Sequence, residues 1–223
     1  MKQLIITCCA AVALLLTLGN LSCKKEKKQQ QTLPKDILAA MPQIDPWMYQ
    51  TNGEPAQWLG FKLEGKTLFE PINLILVDKI SASRSASAAL VKQRFAEAGF
   101  DSRLGHSSNY KGRMNGADFG QLPETDSNKA FSNFMWTFTN DHARLFGPYQ
   151  KDSIYFWIGS VSRELGISHE YQTFQGAVSE LERCLVQFAN VKKLGEFPLD
   201  NTLNSATETT GDHTGHATVL QIQ

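Results

Sequence analysis

The run PINLILVD, Pro71 to Asp78, is the feature that most restricts the fold. A strand with one wet face alternates apolar and polar residues, whereas Leu74 to Val77 is apolar at consecutive positions, so this strand must be covered on both faces. The next segment, SASRSASAALVKQRFAEAGF, reads as a helix. Ser83 or Ser85 can cap it, Ala88, Val91, Phe95 and Ala98 recur at helical spacing, and Gly99 stands at the C′ position. A strand followed by an amphipathic helix is half of a βαβ unit and points to helix-on-sheet packing.

Further along, HARLF alternates, Gly147-Pro148 signals a turn, and SIYFWIGSVS returns as a second strand, giving a hairpin from about Asp141 to Ser162. In FQGAVSELERCLVQF, residues Phe174, Val178, Leu181, Leu185 and Phe188 share one helical face. HATVLQIQ alternates again and suits a terminal edge strand. The expected fold is therefore α/β, with α+β as the alternative: a single mixed sheet with two main helices packed on it. Residues from Ser102 to Lys129 show no readable periodicity and are expected to form a long irregular segment.

The chain begins with Lys2, an uncharged apolar run from Leu4 to Leu18, and GNLSC ending at Cys23. This layout is that of a signal peptide, and the run is shorter than the roughly 20 residues of a spanning helix. Ser22 before Cys23 is similar to a bacterial lipoprotein signal, which implies lipidation at Cys23. KKEKKQQQ, Lys24 to Gln31, then reads as a flexible polar tether. The expected organisation is a signal peptide over 1–22, the lipidated cysteine, tether and a proline-rich arm over 23–57, and one domain over 58–223. The arm is expected to hold a short helix around Lys35 to Ala40 and to pack Trp47 and Met48 onto the domain.

Of four cysteines, Cys184 alone lies outside the leader and anchor, so no disulfide is expected within the domain and its own core must hold it together. Lysine plus arginine equals aspartate plus glutamate at 22 each, which removes the strong positive field expected of a nucleic-acid partner.

At EPINLILVD, AALVKQRFAEAGF, NDHARLFGP, IGSVSRELG and SHEY, the chain resembles the LssY C-terminal domain family. The likeness spans roughly Gly65 to Gln223. It departs at Phe100, where the family has tryptophan, and at Glu164, where aspartate is expected. Longer members carry the domain after membrane segments and are described as type I secretion components. The resemblance implies a fold and an envelope setting, and no reaction.

The candidate site is His142, Arg144, Ser160, Ser162, Arg163, Glu164 and His169. Alternation puts His142 and Arg144 on one strand face and pairs Ser160 with Ser162. Arginine forks, hydroxyls and imidazoles are donors suited to a phosphate, sulfate or carboxylate, so the expected ligand is an anionic small molecule or lipid head group. An ion pair between Arg144 and Glu164 at a sheet edge is the plainer alternative, and a hydrolase or transferase using His142 or His169 for proton transfer is a third.

No metal and no cofactor are expected. His213 and His216 with Asp212 have a spacing that zinc permits, but without a cysteine pair or H-E-x-x-H they read as loop residues before the last strand. GRMNGADFG lacks the strand and helix that a phosphate-binding glycine loop needs. His106, beside Arg103, Lys111 and Arg113, reads as a residue of a solvated basic loop, with a mobile basic loop that closes over an acidic ligand as the alternative.

Overall fold

The computed structural model describes residues 32–123 and 128–223. The leader, Cys23 and the tether lie outside the described residues. Among those described, the chain forms three helices and thirteen strands. In order they are α1 (Lys35–Ala40), β1 (Gln57–Leu63), β2 (Lys66–Phe69), β3 (Leu74–Asp78), α2 (Arg84–Glu97), β4 (Asp101–Leu104), β5 (Lys111–Met114), β6 (Ala117–Leu122) and β7 (Lys129–Ser132). After them come β8 (Asn140–Lys151), β9 (Ile154–Leu165), β10 (Glu170–Thr173), α3 (Gln175–Phe188), β11 (Val191–Pro198), β12 (Glu208–Thr209) and β13 (His216–Ile222).

The large sheet runs β11-β13-β3-β9-β8-β6-β5, with β10 on β9, and with β7 on β8 carrying β4. A second sheet, β1-β2-β12, stands apart, so the fold has two sheets where one was expected. The large sheet is mixed, as expected, but parallel only between β13 and β3. The βαβ expectation fails because the strand after α2, β4, pairs antiparallel with β7 and never reaches β3.

β3 is buried at all five positions and takes an apolar layer on each face, as its run of side chains requires. On one face Leu74 and Leu76 join Val91 and Phe95 of α2 and Val178, Leu181 and Leu185 of α3. On the other, Ile75 and Val77 meet Leu33, Ile37, Ile44 and Met48 of the N-terminal arm. The arm is thus the second cover of the sheet. Ser83 caps α2 through its hydroxyl, which accepts from the Ala86 N–H, and Gly99 takes a left-handed φ of +81°. Cys184 is buried and free. Phe188 faces water instead of the core, because α3 ends at this residue.

The hairpin is β8 and β9, paired from Asn140↔Glu164 to Lys151↔Ile154. Its turn is Asp152-Ser153, with Asp152 at a φ of +53°, and not Gly147-Pro148. That pair, joined by a cis peptide bond, sits at a bulge inside β8, where the register shifts between Phe146 and Tyr149. A bulge tolerates a proline because a ladder N–H is not needed there.

The segment expected to be irregular contains β4, β5 and β6. β5 and β6 form a tight hairpin about Asn115-Gly116, both with positive φ. β13 lies between β11 and β3 and is an interior strand, not an edge.

Candidate functional site

β3 begins at Leu74, yet β9 continues past it to Leu165. Asn73 bridges the difference. Its side-chain amide donates to the Val161 carbonyl at 2.8 Å and its Oδ1 accepts from the Val161 N–H at 2.9 Å, replacing the missing strand partner. This carries the end of β9 out beyond the main core. There the directly paired residues Asn140↔Glu164, His142↔Ser162 and Arg144↔Ser160 point to the face away from α2 and α3.

On that face lies a cavity of about 100 Å³ lined by residues that include Trp58, Glu70, His106, His142, Arg144, Glu164 and His169. Two pieces of chain close it. One is the loop Gly105 to Ser107, which places His106 over the hairpin. The other is β1, where a bulge with Leu59 at a φ of +43° turns Trp58 inward. Left-handed backbone at a leucine is strained, and such strain persists only where surrounding contacts impose it. His169, also left-handed at +52°, stacks on Trp136, and its carbonyl accepts from Trp58 Nε1 at 2.7 Å.

The polar contents are almost sealed. His142 is 1% exposed, and His106, Arg144 and Glu164 are each 3% exposed. Arg144 donates from Nε to the Ser107 carbonyl at 3.1 Å and from Nη2 to Ser107 Oγ at 3.0 Å, and its guanidinium lies over the Tyr110 ring. Among the described residues its third nitrogen, Nη1, has no hydrogen-bond partner and stands 3.7 Å from Glu70 Oε2, which likewise accepts no hydrogen bond. Burial pushes the Glu70 carboxyl up to about 7, with Arg144 opposing that shift.

Glu164 is the hub of the cluster. Its Oε1 accepts from Asn140 Nδ2 at 3.1 Å and lies 3.6 Å from His106 Nδ1 and 4.0 Å from His142 Nδ1. Its Oε2 is 3.0 Å from His169 Nδ1. His142 Nε2 is 3.1 Å from Ser162 Oγ. Among the described residues, the buried nitrogens His142 Nδ1 and His106 Nε2 have no hydrogen-bond partner, nor has Ser160 Oγ. Burial first, then the Arg144 charge, holds both rings in the neutral form: His106 falls to about 3, and His142 well below the usual imidazole range.

Six of the seven expected residues therefore meet on one face, and Arg163 does not. It alternates to the helix side of β9, where its fork grips Asp141 at 2.6 and 3.0 Å. The alternation that joins His142 to Arg144 already separates Arg163 from Ser162 and Glu164. The Arg144–Glu164 ion pair of the plainer alternative does not form among the described residues, since the carboxyl facing Arg144 is Glu70.

Asp212, His213 and His216 form no cluster. Asp212 caps α3, accepting from the Phe174 N–H at 2.7 Å and from Tyr171 and Thr173 hydroxyls. His213 bonds Asn201 at 2.6 Å, and His216 bonds the Thr214 carbonyl. Two contributors were missed. Glu70 was hidden as the last residue before an apolar strand. His106 sits in a polar stretch that reads as solvated, and only Gly105, forced by the Trp136 ring packed against it, marks the close approach.

Together these features define a mixed α-and-β domain with a largely buried histidine–carboxylate–arginine cavity at one end of a long hairpin. Comparisons with protein-family models, with curated proteins and with solved structures gave no match for this chain.

Proposed function

We propose that this protein is an exported cell-envelope lipoprotein, anchored at Cys23 and tethered by Lys24 to Gln31, whose LssY C-terminal-like domain binds a small anionic group in the hairpin cavity. The observation that carries the binding reading is Arg144. It is a buried guanidinium whose Nη1 has no hydrogen bond among the described residues, beside the unpartnered hydroxyl of Ser160 and a Glu70 carboxyl that burial makes harder to ionise. A buried arginine with a free donor favours an oxyanion, because burial strengthens a charge-assisted hydrogen bond. The cavity has room for a few non-hydrogen atoms, as in a phosphate or carboxylate.

Inorganic phosphate, titrated with a chelator present, should raise the thermal midpoint of wild type and of Arg163→Gln, and not of Arg144→Gln. An equal rise in wild type and Arg144→Gln removes the reading. Repeating the titration with a short-chain phosphatidate separates a lipid head group from free phosphate. The anchor is tested by fatty-acid labelling in cells, where Cys23→Ala should lose the label; equal labelling of both proteins contradicts it.

His169 favours a second reading, a hydrolase or transferase acting on a phosphorylated envelope lipid. Its ring is partly exposed at the cavity rim and pairs with Glu164 at 3.0 Å, an arrangement suited to proton transfer. His142 is unsuited, being sealed and bonded to Ser162. Equal turnover of generic phosphate esters by wild type and His169→Ala removes this alternative.

A further inference from the structure

The cavity holds more unsatisfied capacity than an anion accounts for. Beside Arg144, the carboxyl groups of Glu164 and Glu70 and the rings of His106 and His142 also line it, and an oxyanion held by Arg144 leaves these without a role. One ring nitrogen of His106, one of His142 and one carboxylate oxygen of Glu164 lie within 4.8 Å of one another, all three side chains buried. Two imidazoles and a carboxylate form a common protein ligand set for zinc, leaving a further position open to water or ligand.

Neutral imidazole is the form that ligates, and both rings are buried away from water, at 3% and 1% exposure for His106 and His142. Metal–ligand bonds of about 2.0–2.2 Å place tetrahedral ligand atoms roughly 3.4 Å apart, so the three atoms need only a small side-chain closure.

The surroundings match as well. In the tautomer whose Nε2–H donates to Ser162 Oγ, His142 turns an unpartnered Nδ1 lone pair toward the cluster. His169 Nδ1 and Asn140 Nδ2 hold the carboxylate of Glu164 from behind. A histidine whose other nitrogen is fixed, and a carboxylate that is itself hydrogen-bonded, are the usual supports of a metal site.

We infer that His106, His142 and Glu164 form a binding site for one divalent transition-metal ion of the zinc class, with Ser162, His169 and Asn140 as positioning residues. The ion offsets the two carboxylates, and its open position faces the space beside Arg144. An oxyanion there would be held by the metal and by the guanidinium together. The inference deepens the anion reading by sharing its cavity, and it rests on different atoms.

The test is a cobalt(II) titration of the chelator-stripped full chain in mild detergent and phosphate-free buffer, read by the ligand-field absorption of the ion and by metal analysis after dialysis. Wild type and His216→Ala should bind one equivalent with the intense visible bands of a four-coordinate nitrogen–oxygen site. Glu164→Gln and His106→Ala should weaken binding at least tenfold, and Ser162→Ala by a smaller factor. Wild type that retains no stoichiometric cobalt overturns the inference, whichever variants fold. Unchanged binding in folded Glu164→Gln does the same. If phosphate still stabilises a protein that binds no cobalt, only the metal site falls; if cobalt binds and phosphate does nothing, only the anion reading falls.

Discussion

A carboxyl and two imidazoles buried in one cavity pull stability in opposite directions with pH. His106 and His142 are less basic folded than unfolded, so the unfolded chain binds more protons below pH 6.5 and their contribution is lost as pH falls through that value. Glu70 is raised from 4.5 to about 7, so the folded chain binds the extra proton, and its contribution is lost as pH rises through about 7. The histidines should dominate, and the midpoint should climb from pH 4.5 to 6.5. Glu70→Gln removes the opposing slope, which has a ceiling of about 1.4 kcal/mol per pH unit for one group. Thermal melts across this range should therefore climb more steeply in Glu70→Gln than in wild type; parallel profiles would show that Glu70 is not raised. His142, Arg144, Ser160, Ser162 and Glu164 were legible as a group because a period of two fixes the face of each. Glu70 and His106 were not, because their position depends on which distant segments fold over the hairpin.

The hairpin works as a support because Asn73 stands in for a strand. Asn73→Ala leaves the Val161 N–H and carbonyl unpaired in a buried position, at about 1–3 kcal/mol for each group. Chemical denaturation should show that loss, and amide exchange should speed up first at Val161 and its neighbours. Gly105 supports the site from the other side. Its φ is +92°, and an added Cβ would overlap the Trp136 ring that stacks on His169. Gly105→Ala should displace the His106 loop and abolish ligand binding while the core helices keep their exchange protection; unaltered binding would contradict the closure described for this loop. At this scale β3, α2, α3 and the β8–β9 pair were legible from periodicity. The β5–β6 hairpin was missed although Asn115-Gly116 is a strong turn signal, because its strands are too short and too glycine-rich to alternate visibly. Gly147-Pro148 misled in the opposite sense, since a bulge and a turn use the same residues.

Over the whole molecule, the continuous apolar run of β3 demanded two covers, and the second proved to be the arm. Leu33, Ile37, Ile44 and Met48 are all buried against the sheet. At about 1.5–3 kcal/mol for each buried side chain, their loss rivals the total stability of an ordinary domain. Deleting residues 32–49 should therefore abolish cooperative unfolding and expose dye-binding apolar surface, and a cooperative melt from the truncated chain would show the arm to be dispensable. The second sheet was not legible, because β12 is two residues long and joins β2 only through tertiary contact. Yet that sheet carries Trp58 to the cavity, so the site depends on both sheets and on the arm-side face they share. The most direct measurement is an anomalous difference map at the zinc edge from crystals grown with zinc and phosphate. One peak is expected at about 2.1 Å from His106, His142 and Glu164 ligand atoms, with tetrahedral density between it and Arg144. A cavity filled by water alone, with zinc only elsewhere, as at the half-buried His216, would contradict the site.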